Sequence, residues 1–482
     1  MKNLDKLVRE LIKNPTEQPW LEYKHDNYAP EMIGEDISAL ANSAALYERK
    51  CAYMLWGITD DTHEIVGTSY TLQTLKKGNQ ELENWLRSLL SSNAEFEFHT
   101  EHIDGKAIGI LIVYPAANQT VTFKKTEYIR IGSYTKKLAD YPNLKMQIWD
   151  KLRNTRFEER YAQLDLALSD VLQLLDYPVY FERKHLPPPN TQEGVAHYLM
   201  EEKLLEKLDN GLFAITNLGA ITLAKKLSSF DRLSRKALRV VQYQSSNRLE
   251  ILRDETFDRG YIAAFSDILH YIGALTPTRE PIINGLRETQ TAYPLLAIRE
   301  LLANALIHQD FSITGTGPVV EIFPKRIEIT NPGAPLVETL RIIDNPPKSR
   351  NEKLAALMRK LKICEELGTG WDRTVMECEL YQLPAPRINA YEDTTRVTLY
   401  SEIPFSQLSL EERLWACYLH VCIKWVNEEP ATNSTLRHRF GLKDASSSTI
   451  SRLIRDAVSE KLIKPADPDT APRYMKYIPN WA

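Results

Sequence analysis

The chain has 482 residues, 43% hydrophobic and 26% charged, and its net charge of −4 excludes a globally basic nucleic-acid binder and leaves any polyanion site to a local patch. At ~100–200 residues per domain, this length calls for three or four units. The opening MKNLDKLVRELIKNP lacks a secretory leader's apolar run, no stretch reaches ~18 uninterrupted apolar residues, and the cysteines (Cys51, Cys364, Cys378, Cys417, Cys422) form no C-x-x-C pair, so a reduced cytoplasmic chain is expected.

Leu4, Leu7, Leu11 and Ile12 recur at helical spacing and predict a short amphipathic helix that closes before Pro15. A loop bounded by Pro15 and Pro30 carries the short strand LEYK, and EMIGEDISALANSAALYERK reads as a second helix. CAYMLWGI is a fully apolar strand, and EFEFHTEHI, AIGILIVYP and TVTFKKTEYIRIGSYT follow as further strands. Residues 1–150 are therefore expected to form a compact α+β domain. From Phe157 to about Leu227 the pattern is mostly helical, with NGLFAITNLGAITLAKKL resembling a wing that returns to a helix, so 157–235 is expected to be a helical, winged-helix-like connector. Residues 236–402 read as an α/β unit, in which the helix YPLLAIRELLANALIHQDF precedes strands VVEIFPK and RIEITN. Residues 408–482 read as helices and a hairpin, and the whole as an α+β multidomain protein without internal repeats.

Glu17 and Glu22 lie five positions apart at a strand entrance, and Asp60 lies just past the strand CAYMLWGI. If LEYK and MLWGI are neighbours, the three carboxylates converge, and such a set suits a hard Mg2+ or Mn2+ ion that activates water and offsets charge on a phosphate. The competing reading is plain surface acids with a turn aspartate. The glutamate pair ending in EYK, the aspartate of GITDD and the following EIVG resemble the Schlafen-type AlbA-like domain, over roughly residues 14–135 up to the strand YIRIGSYT. This resemblance implies a three-carboxylate ribonuclease site made of Glu17, Glu22 and Asp60, with Lys24 at the family's lysine position, acting on structured RNA such as tRNA. It also implies a role in antiviral defence or translation shutdown.

Between Thr120 and Lys137, Lys124, Lys125, Arg130, Lys136 and Lys137 face a single acid, Glu127, with Tyr128 and Tyr134 interleaved. Lysine and arginine can follow a phosphate backbone and tyrosine can stack on splayed bases, so this is the candidate RNA-binding segment. Strand alternation would put Tyr128, Arg130 and Lys124 on one surface. A solvated edge strand protected by lysines has the same composition.

Glu300 and Asn304, four apart on an apolar helix, share a face. Together with ALIHQDFSITGTG, ITNPGAP and EELGTGWDR they resemble a divergent ATPase-like domain akin to the Bergerat (GHKL) fold of gyrase and histidine kinases, from about Arg239 to Ser401. The resemblance implies ATP binding, with Glu300 as the water-activating acid, Asn304 on magnesium, and Asn331, Gly333, Gly368 and Gly370 around the nucleotide. Asn331 stands where those ATPases have an adenine-binding aspartate, and an amide is the weaker partner for an exocyclic amine. The alternative is that Glu300 and Asn304 only satisfy nearby backbone. His308 at the helix end reads as a C-terminal cap, with no second histidine to suggest zinc.

ASSSTISRLIRDAVSEKLIKP places hydroxyl residues before an apolar-periodic helix, as the recognition helix of a winged helix-turn-helix does. Thr449, Ile450, Leu453, Ile454 and Val458 are the expected buried face, leaving Ser448, Arg452 and Arg455 to DNA. Residues 431–482 hold nine Lys or Arg against five Asp or Glu. Winged helices also serve in packing and dimerisation, so a homo-oligomer is a second use of this module. The leading expectation is a metal-dependent endoribonuclease, and the other is an ATP-binding, DNA-binding transcriptional regulator without catalysis.

Overall fold

A computed structural model describes residues 4–482 except 15, 60–61, 72–73, 118, 155, 209–210, 231, 280–281, 284–285, 288–289, 347 and 365–369. The chain forms two compact units, one of residues 1–160 with 207–212, the other of residues 161–206 with 213–482. Among the described residues no helix is long and apolar enough to cross a membrane.

The first unit opens with helix α1 (Leu4–Leu11), whose Leu4, Leu7, Val8 and Leu11 are buried. Strand β1 (Leu21–Lys24), helix α2 (Pro30–Leu46) and strand β2 (Ala52–Trp56) follow. A two-residue hairpin, β3 (Lys76–Lys77) and β4 (Gln80–Glu81), leads to α3 (Leu82–Leu89) and the long pair β5 (Phe96–Ile103) and β6 (Lys106–Val113). The main sheet runs β1-β2-β6-β5. β1 is parallel to β2, with Glu22 opposite Met54, so the neighbouring strands that the carboxylate hypothesis requires are present. β2 and β6 lie at the centre of the sheet, each paired on both sides, and apolar residues on both faces bury most of their length.

The segment expected as one strand is instead β7 (Thr122–Phe123), β8 (Thr126–Ile131) and β9 (Tyr134–Lys137), followed by α4 (Pro142–Asn154). Lys124 and Lys125 both have positive φ, so the chain turns tightly there and Lys124 leaves the alternation that Tyr128 and Arg130 follow. Buried polar residues of α2 hold β8: Tyr128 N–H donates to Ser38 Oγ (3.1 Å), Asn42 Nδ2 to Tyr128 O (2.8 Å) and Arg130 N–H to Ser43 Oγ (3.0 Å). The small polar positions in ISALANSAAL thus supply hydrogen bonds to a strand that the helix covers.

The second unit begins with β10 (Tyr161–Leu166), α5 (Leu168–Leu174), α6 (Tyr177–Lys184), α7 (Gln192–Glu201), β11 (Leu205–Lys207), β12 (Phe213–Thr216) and α8 (Asn217–Leu223). β10 corrects the helical expectation: it pairs with β12 through two register shifts, and Asp165 has positive φ. Those irregularities break the period-2 pattern by which a strand is recognised. Next come β13 (Leu238–Tyr243), β14 (Ile251–Phe257), α9 (Tyr261–Leu275), four two-residue strands β15–β18 between Thr278 and Thr291, and α10 (Leu295–His308). β19 (Val319–Phe323), β20 (Arg326–Pro332), α11 (Glu352–Lys360), α12 (Gly370–Leu380), β21 (Arg387–Ala390) and β22 (Thr394–Tyr400) complete a six-stranded sheet ordered β14-β13-β19-β20-β22-β21. The chain ends in α13 (Leu410–Val426), α14 (Asn433–Arg439), α15 (Ser447–Ser459) and the antiparallel pair β23 (Ile463–Pro465) and β24 (Tyr477–Pro479). Mixed helix and strand in several sheets make this an α+β multidomain protein.

Candidate functional site

Glu22 projects from β1 with its side chain 3% exposed and forms an ion pair with the equally buried Arg130 of β8. Arg130 Nη2 also lies 3.4 Å from Glu17 Oε2, and Nη1 lies 3.9 Å from Asp36 Oδ1 on α2. Lys24, two residues along β1, pairs with the other oxygen of Glu22. Thr135 of β9 donates to Asp36 at 2.5 Å, and Tyr23 N–H donates to Glu17 Oε1 at 3.0 Å. Three carboxylates and two cations are therefore gathered from β1, its preceding loop, α2 and β8, with the Thr135 hydroxyl of β9 beside them.

Burial first, and then the neighbouring Glu22 charge, push Glu17 up to about 7. Burial likewise raises Asp36 to about 6, against the hydrogen bond from Thr135. For Lys24 burial opposes the charged form, but the hydrogen bond and charge of Glu22 prevail and raise it. Glu17 is thus a carboxyl poised near neutrality, although an arginine stands beside it.

Asp60 falls outside the described residues. Of the expected triad, Glu17 and Glu22 are brought together, and Arg130 Nη2 lies at their meeting point. Two converging carboxylates fit a hard divalent ion in donor type. Among the described residues, however, no group of three or more His, Cys, Asp or Glu side chains could hold a metal. Asp36 was missed in the sequence, where it looks like one acid among several near the helix start. The signal was its phase, because it lies on the stripe of Ile33, Ile37 and Leu40 that faces the core.

The basic segment divides in two. Arg130 is 2% exposed and belongs to the carboxylate cluster, a correction to its expected place on an RNA-facing surface. Lys124 pairs with Glu31, and Lys125 lies exposed in the same turn. Lys136 and Lys137 are exposed on β9, with Lys136 Nζ 5.6 Å from the ring of the exposed Tyr134. Since Thr135 between them reaches Asp36, this exposed basic strand and the carboxylate cluster are one continuous feature.

In the second unit, Glu300 is buried on α10, with Oε1 3.0 Å from Arg299 Nη1. Gly370 at the start of α12 comes so close that a Cβ there would stand 3.1 Å from Glu300 Oε2 and 3.4 Å from Asn304 Nδ2. These three expected residues meet; Gly368 lies outside the described residues. Asn331 spends its amide on Pro332 O (3.1 Å). Gly333, at φ +106°, has the Arg350 guanidinium where a Cβ would be, and Arg350 in turn donates to His308 O (3.3 Å) and Ala334 O (2.9 Å). Burial, with Arg350 adding to it, pushes His308 down to about 4, so it is neutral rather than a cationic cap.

On α15, Ser448, Arg452 and Arg455 are exposed, as a nucleic-acid-facing helix requires, and Ile450, Leu453, Ile454 and Ala457 are buried. Thr449 is exposed and Val458 only half-buried, which corrects two of the expected core positions.

Residues 17–139 match the family model described as Schlafen, AlbA_2. This segment is similar to Schlafen AlbA_2 domains. The match spans the whole cluster from Glu17 to β9. Residues 315–399 match the HATPase_c_4 model, described as "Putative ATP-dependent DNA helicase recG C-terminal". That match begins after α10, so Glu300 and Asn304 precede it. A search of curated proteins returns no match. Among solved structures, the chain is similar to the DIP2311 protein from Corynebacterium diphtheriae, at 14% identity and a TM-score of 0.44, covering 98% of this chain and 96% of that one.

Proposed function

We propose that the AlbA_2 domain binds nucleic acid, with structured RNA such as tRNA as the substrate class, and that Glu17 and Glu22 are the carboxylates of an endoribonuclease centre. The observation that carries this reading is the convergence of the two glutamates beside an exposed basic strand. Lys136 and Lys137 would hold the phosphate backbone and Tyr134 would stack on an unpaired base. Glu17 and Glu22 would hold a Mg2+ or Mn2+ ion, which when bound activates water and offsets phosphate charge. Lys24 pairs with Glu22 in its buried position. The test is incubation of the purified chain with tRNA and Mn2+, where wild type should cut and Glu17→Gln should lose on the order of 10³-fold in rate. Intact RNA with the wild-type protein would discard the nuclease reading and leave the binding one.

A second reading, a nucleotide-sensing DNA-binding regulator without catalysis, draws on Arg130 and Lys24 already neutralising Glu22, and on exposed Arg452 and Arg455. Salt-sensitive duplex binding that disappears in Arg452→Ala/Arg455→Ala would support it, and ATP binding would be measured on the same protein.

A further inference from the structure

The two edges of the six-stranded sheet differ. β21 is four residues long and lies beside α13, with Trp415 Nε1 donating to Pro386 O (2.9 Å) and Arg387 paired with Glu411 at 2.9 Å. β14 is seven residues long, and six of them, Ile251 to Thr256, are exposed. Ile251 and Leu252 are 51% and 54% exposed, and Leu249 just before the strand is 84% exposed. Its ladder with β13 is regular from Arg253 to Phe257 and shifts register by one residue at Leu252. A long edge with apolar side chains is a template for another strand, and soluble proteins normally shorten or cover such edges.

The sequence of β14 says which strand fits. A two-fold axis normal to a sheet sets each residue opposite one on the same face, so for self-pairing the axis must pass through a residue. An axis at Arg253 opposes two arginines, and one at Glu255 opposes two glutamates. An axis at Asp254 sets Arg253 opposite Glu255 of the second copy, twice, within the stretch of β14 that is in regular register. The two Asp254 side chains then meet at the axis, but each is already held by Arg239 of its own β13, with Nε to Oδ1 at 2.7 Å. We propose that β14 is the seam of a homodimer, in which a second copy of this chain adds its β14 antiparallel about Asp254 and joins the two sheets into one.

The charges make the proposal testable by exchange. In sedimentation of the full chain, wild type should run at twice the chain mass. Arg253→Glu and Glu255→Arg, each alone, should run as single chains, because each creates like-charge pairs across the seam. A mixture of the two single variants should recover the dimer, since one chain then presents two acids and the other two bases. The double variant Arg253→Glu/Glu255→Arg should recover it too. A wild type that stays a single chain, single variants that remain dimeric, or a mixture that fails to associate would each overturn the proposal.

Discussion

Arg130 of β8 and Glu22 of β1 form an ion pair in which both side chains are almost entirely withdrawn from water, at 2% and 3% exposure. Each charge is tolerable because it is paired, Glu22 also with Lys24 and Arg130 also with Glu17 and Asp36. Replacing Arg130 by Met should cost the first unit about 3–5 kcal/mol, since it leaves Glu22, Glu17 and Asp36 with Lys24 as the cation that remains in the cluster, while Arg130→Met with Glu22→Leu should recover part of that loss. Urea unfolding of the single and double variants measures both values. Equal midpoints for the single variant and wild type would show that the pair contributes nothing.

Glu17 makes stability depend on pH in a defined direction. Its carboxyl titrates at about 7 in the folded chain against an ordinary value of 4.5, so between these two values the folded state holds a proton that the unfolded state has lost. Stability linked to Glu17 is therefore full below about pH 4.5, falls as pH rises through 7, and stays low above it, a change on the order of a few kcal/mol. Asp36, raised from 3.8 to about 6, adds a contribution of the same sign over a lower window. The urea midpoint, followed from pH 4.5 to 7.5, should fall less steeply in Glu17→Gln than in wild type. Parallel curves would mean that Glu17 is not the titrating group.

The meeting of Glu17 and Glu22 was legible in the sequence, where they lie five positions apart at the entrance to LEYK, and the loop folds back so that Tyr23 N–H donates to Glu17 Oε1. The cation between them was not. Arg130 alternates with Tyr128 in a strand that looks half-exposed, and only α2, through Ser38, Asn42 and Ser43, covers it. Local alternation reports which residues share a face, never what lies against that face. Lys124 failed for a nearer reason, the tight turn at Lys124 and Lys125, where φ changes sign without a glycine to announce it. The edge strand β14 escaped notice because ILRDETF has acids and bases where a buried strand would have apolar residues.

If β9 guides RNA, its lysines contribute mainly nonspecific phosphate contacts. Lys136→Ala/Lys137→Ala should weaken binding to unrelated RNA sequences by similar factors and lower the slope of log affinity against log salt by about 1.4, or ~0.7 per contact for single strands. Arg130→Lys, at a buried position, should leave that slope unchanged. Filter binding at several salt concentrations separates the two. An unchanged slope in the double variant would place the RNA elsewhere.

The C-terminal helices are fastened to α12 by one carboxylate. Glu379 Oε2 lies 2.9 Å from His420 Nδ1 on α13, and its Oε1 lies 3.3 Å from Arg439 Nε on α14, whose Nη2 donates to Leu383 O at 2.9 Å. His420 Nε2 is in turn 3.0 Å from Thr435 Oγ1. Burial lowers the Arg439 pKa, which marks a guanidinium held out of water and dependent on its partner. Glu379→Ala should cost about 3–5 kcal/mol by stranding that charge, and Glu379→Gln less, because the amide oxygen can still accept a hydrogen bond. Hydrogen exchange gives the location: α13 and α14 should lose protection in Glu379→Ala while β1, β2 and β6 keep theirs. Unaltered protection of α13 would show that apolar packing, rather than Glu379, holds these helices in place.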